Sequence, residues 1–116
     1  MKPKIYGIRN CDTMKKAFAW LDAKKIAYDF HDYKKEGVPP GKLKEWAGRA
    51  GWEKLANTRG PTWRKIPEAQ RASPTEARVL ALLERNTSAI RRPIVEAGSK
   101  LLIGFDPAEY TATLRV

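Results

Sequence analysis

Cys11 is the only cysteine of the chain, and it lies where an apolar run ends and a helical pattern begins. A thiol at that place faces the first backbone N–H groups of the helix, which lack an acceptor inside the helix and carry partial positive charge. Such surroundings favour the thiolate and lower the pKa of a cysteine. Arg9, Lys15 and Lys16 add positive charge nearby in the sequence. We therefore interpret Cys11 as a nucleophilic thiolate.

The polar neighbours of Cys11 allow more than one role. A lone cysteine is often a small buried apolar residue, but Asn10 and Asp12 are turn formers that make a core position awkward. Either residue could cap the helix, or the N–H groups beside them could form an anion-binding nest. Asp12 also opposes ionisation of the thiol unless the helix terminus neutralises its charge.

A strand, a helix and a second strand are predicted around Cys11. Residues 4–8 are rich in strand-forming side chains, and residues 13–25 carry apolar side chains at helical spacing. Residues 26–33 alternate with the period of a strand. The helical crossover between the two strands makes them parallel.

The remainder of the chain predicts helices followed by a hairpin. Residues 38–86 are mainly helical, and Ser73-Pro74-Thr75-Glu76 is typical of a helix start, a capping box with proline at the first helical position. Residues 90–95 and 100–103 are close enough to pair as a hairpin. Residues 106–113 predict a last helix that begins with an Asp-Pro cap.

This order of elements predicts an α/β fold with a mixed four-stranded sheet, the layout of a thioredoxin-like domain with a helical insertion. A length of 116 residues suits one domain. We therefore expect a single domain over residues 1–116, with the helical insertion at about residues 38–86.

Composition narrows the classes of function. The chain has 23 Lys and Arg against 13 Asp and Glu, a net charge of +10, which attracts anions in general. A long basic block and an RNP-type aromatic motif are absent, so we do not expect a nucleic-acid binder. One cysteine and one histidine, His31, argue against a metal site and exclude an internal disulfide. Neither a membrane span nor a signal peptide is evident, so we expect a cytoplasmic protein.

Three motifs make the chain similar to a known family. The run from Ile5 to Ala17 around Cys11, the triplet Asn57-Thr58-Arg59 and the segment Arg92-Pro93-Ile94-Val95 resemble the ArsC/Spx family, and within it the YffB-type branch. This resemblance covers nearly the whole chain. It implies a thioredoxin-like fold with a helical insertion, a one-cysteine active site and a glutathione-dependent thiol reductase that binds no cofactor and uses glutathione as co-substrate.

The resemblance also implies roles for particular residues. Cys11 corresponds to the catalytic cysteine, and Arg59 and Arg92 correspond to arginines that hold an anionic group with forked donors. Pro93 corresponds to a proline that is usually cis in this fold, whereas the sequence alone favours trans at the first residue of a strand. Each arginine could instead be a solvated surface charge. The predicted substrate-binding set is Arg59, Arg92, Asn10, Asp12, Arg9 and Pro93.

The sequence departs from the family pattern at two places. Met14 occupies the position of the second cysteine of thioredoxins and Spx regulators, so glutathione or a glutaredoxin-like protein must resolve the intermediate. The place of a third arginine in arsenate reductases reads Ile103-Gly104-Phe105. We therefore predict a mixed-disulfide mechanism on a disulfide or small oxyanion substrate. Alternatives are a glutathione- or glutaredoxin-coupled arsenate reductase and a non-catalytic, Spx-like interaction module.

Overall fold

The computed structural model describes residues 2–114. The chain divides into two compact units: the sheet unit, residues 1–36 with 92–116, and the helical unit, residues 37–91. In chain order the elements are β1 (Lys4–Gly7), α1 (Asp12–Ala23), β2 (Asp29–Asp32), α2 (Tyr33–Glu36), α3 (Lys42–Ala50), α4 (Trp52–Leu55), α5 (Pro61–Lys65), α6 (Glu68–Arg71), α7 (Glu76–Arg85), a 3-10 turn (Thr87–Ala89), β3 (Ile94–Ala97), β4 (Lys100–Ile103) and α8 (Pro107–Leu114).

The four strands form one sheet in the order β2-β1-β3-β4. β1 pairs with β2 in parallel, with Ile5 opposite Phe30, because α1 carries the chain back across the sheet. β1 pairs with β3 antiparallel, with Ile5 opposite Val95, and the short turn after β3 makes β4 antiparallel as well. This topology confirms the predicted mixed four-stranded α/β sheet.

The core of the sheet unit lies between one face of the sheet and its helices. The buried cluster consists of Ile5, Met14, Leu21, Val95, Leu102 and Tyr110. Met14, Ala17 and Leu21 are buried on one face of α1 because they recur at helical spacing. Met14 packs closely on Gly7: a Cβ at Gly7 would lie 2.6 Å from the Met14 sulfur. This contact fixes the first turn of α1 against the end of β1.

The helical unit has its own apolar core. Trp46 and Leu55 are fully buried, as is Leu83 on α7. Gly51 ends α3 with φ +92, a conformation that glycine adopts without steric penalty. Asn57 N–H donates a hydrogen bond to Ala89 O at 2.8 Å. This bond joins the loop before α5 to the 3-10 turn near the end of the helical unit.

Several predicted boundaries are wrong. The second strand begins at Asp29 rather than at residue 26, because Ile26 N–H still bonds Leu21 O at the end of α1. The third strand begins at Ile94 rather than at residue 90, because Ile90 forms a bridge with Ala56 inside the helical unit.

The predicted cap of the long helix is also wrong. Thr75, not Ser73, is the N-cap of α7, and its hydroxyl accepts a hydrogen bond from Arg78 N–H at 3.3 Å. Ser73 has φ +50 and lies in the turn before the cap. Pro74 therefore precedes the cap instead of opening the helix. The capping-box pattern is misplaced by two residues, since Thr75 offers the same hydroxyl chemistry closer to the first helical turn.

Candidate active site

Cys11 is the N-cap residue of α1. Its backbone is extended, with φ −146 and ψ 133, and its carbonyl accepts the first helical bond, from Lys15 N–H at 2.9 Å. Asn10 precedes the N-cap and Asp12 is the first helical residue, so neither is the cap and the predicted caps Asn10 and Asp12 are wrong. The first-turn amides are therefore available to the Cys11 sulfur.

The surroundings of the sulfur favour the thiolate. Burial is the largest single influence and raises the pKa of the half-buried Cys11 thiol. The backbone N–H of Met14, the hydrogen bond and charge of the Arg92 side chain, and the N–H of Thr13 together outweigh burial. The net result is a Cys11 pKa below its usual value, as expected for a thiol at a helix N-terminus beside a cation.

Arg92 reaches Cys11 because of the strand register. Antiparallel pairing sets Tyr6 opposite Ile94, so the chain leaving β1 toward Cys11 runs beside the chain entering β3 from Arg92. Arg92 is half-buried, and its side chain hydrogen-bonds the Cys11 sulfur. The Arg92–Pro93 peptide bond is cis, as the family resemblance implies and the sequence alone does not. Pro93 is buried, and its carbonyl accepts a hydrogen bond from Gly104 N–H at 2.8 Å.

Arg9, Asn10 and Asp12, which are also predicted to bind the substrate, lie close to Cys11 in the chain but have different surroundings. The guanidinium of Arg9 lies 4.9 Å from the centre of the Phe30 ring, a cation–π contact, and Arg9 is not among the groups that lower the Cys11 pKa. Asn10 and Asp12 are exposed. Their predicted parts in binding a substrate stay predictions.

Arg59 belongs to the helical unit. It is exposed in the turn before α5, where Gly60 N–H bonds Asn57 O at 3.1 Å. A Cβ at Gly60 would lie 2.7 Å from the Asn57 side chain, so the turn is tightly folded on itself. The predicted role of Arg59 in holding an anion stays a prediction.

Sequence reasoning missed Tyr33, which directly follows β2. Its side chain is 3 % exposed, and among the described residues its hydroxyl has no hydrogen-bond partner. The signal was available: parallel strands end at the same edge of a sheet, so the residue after β2 lies at the edge where β1 leads to Cys11.

Comparison with known proteins identifies the family of the chain. The ArsC family model matches residues 6–113. The chain belongs to the ArsC family. A solved structure named YFFB protein is 46% identical in sequence to this chain. The match spans 97% of this chain and 99% of the chain in that structure, with a TM-score of 0.94.

Two further relatives of this ArsC-family chain carry functional names. A solution structure of an arsenate reductase (ArsC) related protein from Brucella melitensis is 44% identical, covers 100% of this chain and 97% of its own, and has a TM-score of 0.78. The global transcriptional regulator Spx of Listeria innocua is 25% identical over 107 residues, 90% of this chain and 81% of the regulator.

Three other observations concern other features of this ArsC-family chain. A groove of ≈ 250 Å³ lies within the helical unit between residues 38–41 and α7, and no cysteine, serine or threonine lines it. We therefore take Cys11, rather than that groove, as the candidate active site. Within the described part of the chain, His, Cys, Asp and Glu side chains form no group of three or more that could hold a metal ion. Along residues 2–114 no helix combines the length and apolar character needed to cross a membrane.

Proposed function

We propose that the protein is a glutathione-dependent thiol reductase that acts through Cys11 and a mixed-disulfide intermediate. The observation that carries the proposal is the Cys11 sulfur, held by the amides of Met14 and Thr13 and by the Arg92 side chain, with a lowered pKa. A lowered pKa raises the thiolate fraction at neutral pH, and the thiolate is the form that attacks a disulfide.

The proposed reaction proceeds in two exchange steps. The Cys11 thiolate attacks the glutathione sulfur of a glutathionylated substrate, the substrate S–S bond breaks, and the departing thiolate takes a proton from solvent. Cys11 is then joined to glutathione by a disulfide. A second glutathione thiolate attacks the glutathione sulfur of this intermediate, which releases oxidised glutathione and restores the Cys11 thiolate. The net reaction consumes one glutathione thiol: the substrate sulfur is released as a thiol, and the oxidised glutathione combines the entering glutathione with the one that the substrate carried.

An external thiol is needed because the position of a second cysteine is filled. Met14 is fully buried in the core of the sheet unit, beneath Gly7. Glutathione supplies a thiol for exchange and carboxylates that cationic side chains can bind. Arg92 lies at the Cys11 sulfur. Arg59 is the second arginine predicted to bind an anionic group. A glutaredoxin-like protein could perform the second step instead. A reducing, cytoplasmic compartment would keep glutathione available, and we propose that location.

The test is the formation and turnover of the adduct. We expect Cys11 to gain one glutathione on treatment with oxidised glutathione, seen by mass spectrometry, and Cys11→Ser to lose both the adduct and the reduction of a glutathionylated peptide. Ala19→Ser, at an exposed position of α1, is the matched control and keeps both. An adduct-free Cys11 whose alkylation follows the pH dependence of an ordinary thiol would refute the proposal.

The relatives support two other candidates. The likeness to an arsenate reductase related protein favours a small oxyanion as substrate, and arsenate turnover with glutathione and glutaredoxin tests it directly. The likeness to Spx favours a non-catalytic module that binds a partner of the transcription apparatus. Partner capture that is unchanged in Cys11→Ser would favour this module over the reductase.

A further inference from the structure

The hydroxyl of Tyr33 has no part in the proposed reaction. Tyr33 begins α2, its side chain is 3 % exposed, and its hydroxyl oxygen is buried with no hydrogen-bond partner among the described residues. Burying a hydroxyl without a partner destabilises a folded protein, because the group has lost its water and gained nothing. Phenylalanine would fill the same space without that loss.

The charges around this hydroxyl connect it to the active cysteine. Burial raises the pKa of Tyr33 most strongly, Tyr6 and Glu96 raise it further, and the positive charge of Arg92 acts in the opposite direction. The Tyr33 hydroxyl therefore stays protonated and neutral. Its oxygen is an acceptor within the electrostatic reach of Arg92, whose side chain also bonds the Cys11 sulfur.

The other groups facing Tyr33 have contacts of their own. The Tyr6 hydroxyl donates to Glu96 Oε1 at 2.7 Å. The ring of His31 meets the ring of Tyr33 edge-on, with centroids 6.3 Å apart, and His31 Nδ1 lies 3.5 Å from Glu36 Oε2. Arg92 is the positive charge that acts on the pKa of Tyr33, and the register supports its nearness: Tyr33 follows β2 and Arg92 precedes β3, the two strands that flank β1.

The proposed reaction changes what Arg92 can bind. In the free protein the Cys11 thiolate is an anionic acceptor for the guanidinium. Once Cys11 enters a mixed disulfide, its sulfur is neutral and a poor acceptor, so the Arg92 guanidinium, which carries five N–H donors, loses the anionic acceptor at Cys11. A carboxylate of the bound thiol can accept two of them in a forked arrangement, and the buried oxygen of Tyr33 can accept another.

We propose that Tyr33 is a positioning residue for Arg92: its hydroxyl oxygen accepts a guanidinium N–H when Arg92 moves from the Cys11 sulfur to a carboxylate bound beside it. The inference rests on the proposed function, because it needs a Cys11 that reacts as a thiolate with an anionic partner. It explains why an unpartnered hydroxyl is present in the free protein: its partner comes only in the intermediate.

The test compares two alkylating reagents that differ in charge. Iodoacetate and iodoacetamide both consume the Cys11 thiolate and leave a neutral sulfur, but only iodoacetate places a carboxylate beside it. The ratio of the two rate constants cancels the thiolate fraction and reports recognition of the carboxylate. In Tyr33→Phe we expect this ratio to fall by roughly tenfold, the low end of the effect of a hydrogen bond to a charged group. The Cys11 pKa, from the pH profile of the iodoacetamide rate, should not change.

Tyr110→Phe is the matched control. Tyr110 is also buried, but its hydroxyl donates to Gly104 O at 2.7 Å, so this variant loses a satisfied hydrogen bond. It should unfold at a lower temperature and keep the reagent ratio, whereas Tyr33→Phe should unfold at an equal or higher temperature. A second readout is the difference in melting temperature between protein alkylated with iodoacetate and protein alkylated with iodoacetamide. This difference should become smaller in Tyr33→Phe and stay the same in Tyr110→Phe.

The outcomes separate this inference from the proposed function. An unchanged reagent ratio in Tyr33→Phe overturns the positioning role, whatever Cys11 itself does. A raised Cys11 pKa with an unchanged ratio would show that the hydroxyl acts on the free thiolate, which also overturns it. Lower stability with an unchanged ratio would show that the Tyr33 hydroxyl has a hydrogen-bond partner in the free protein, which also overturns it. Failure of the proposed function is a different result: wild-type Cys11 then forms no glutathione adduct.

Discussion

Replacing Gly7 by alanine tests whether the contact between β1 and α1 holds the first helical turn in place under Cys11. An added Cβ would lie 2.6 Å from the Met14 sulfur and 2.7 Å from its terminal carbon, distances that real contacts do not reach. Because Met14 is fully buried, its side chain has little room to move away. Overpacking of this kind costs about 1–3 kcal/mol, and the preference of a strand for alanine over glycine returns roughly 0.5–1 kcal/mol.

We therefore expect Gly7→Ala to lower the free energy of unfolding by about 1–2 kcal/mol. For a chain of 116 residues this corresponds to a melting temperature roughly 4–8 °C lower. Circular dichroism on heating measures it. The same displacement moves the Met14 N–H away from the Cys11 sulfur, so the iodoacetamide rate at neutral pH should fall as well.

Three further variants make this prediction specific. Gly48→Ala is the control, since Gly48 is exposed on α3 and a Cβ there meets no heavy atom within 4 Å. It should gain up to about 1 kcal/mol in stability. Shortening Met14 to alanine leaves a cavity and costs about 2–5 kcal/mol alone, but the double variant Gly7→Ala, Met14→Ala should cost less than the sum of the single ones. A Gly7→Ala protein as stable as the wild type, or additive costs, would refute the packing argument.

Two other predictions concern the thiolate and a helix cap. Arg92→Gln removes a hydrogen bond and a charge that lower the Cys11 pKa, so the pH at which the iodoacetamide rate is half-maximal should rise. Lys100→Gln, at an exposed lysine, is the control and should leave that pH unchanged. An unchanged pH profile in Arg92→Gln would show that the helix amides alone favour the thiolate. Thr75→Ala removes the hydroxyl that caps α7 and should cost about 1 kcal/mol, measured by urea unfolding. Ser73→Ala should cost less than half as much, and the reverse order would support the cap predicted from the capping-box pattern.

Local patterns were sufficient for the elements of the sheet unit and for the position of Cys11. Alternation and helical spacing report which side chains must be buried, and this depends only on residues close in sequence. For the same reason β4 and the helix that follows it are predicted nearly as they are. The boundaries at Asp29, Thr75 and Ile94 were missed because each is decided by competing hydrogen bonds of similar strength.

The functional partners of the cysteine were less accessible to such patterns. Arg9 is two residues from Cys11 and lies on the ring of Phe30, whereas Arg92 is far along the chain and bonds the sulfur. Family resemblance pointed to Arg92, but charge counting favoured Arg9. The residues next to Tyr33 in the sequence carry no sign of the role that we propose for it, since a tyrosine after a strand is common. Only the parallel pairing of β1 and β2 and the buried, unpartnered hydroxyl single it out among the described residues.

The amino-acid sequence by itself determined that one thiol stands at the start of a helix between parallel strands, because periodicity and composition act through neighbouring residues. Tertiary structure alone decided which charge reaches that thiol, through the antiparallel register of β1 and β3, and which hydroxyl is buried beside that charge. Strand pairing joins residues that are distant in sequence, and its register depends on the burial of a whole face of the sheet rather than on any single motif.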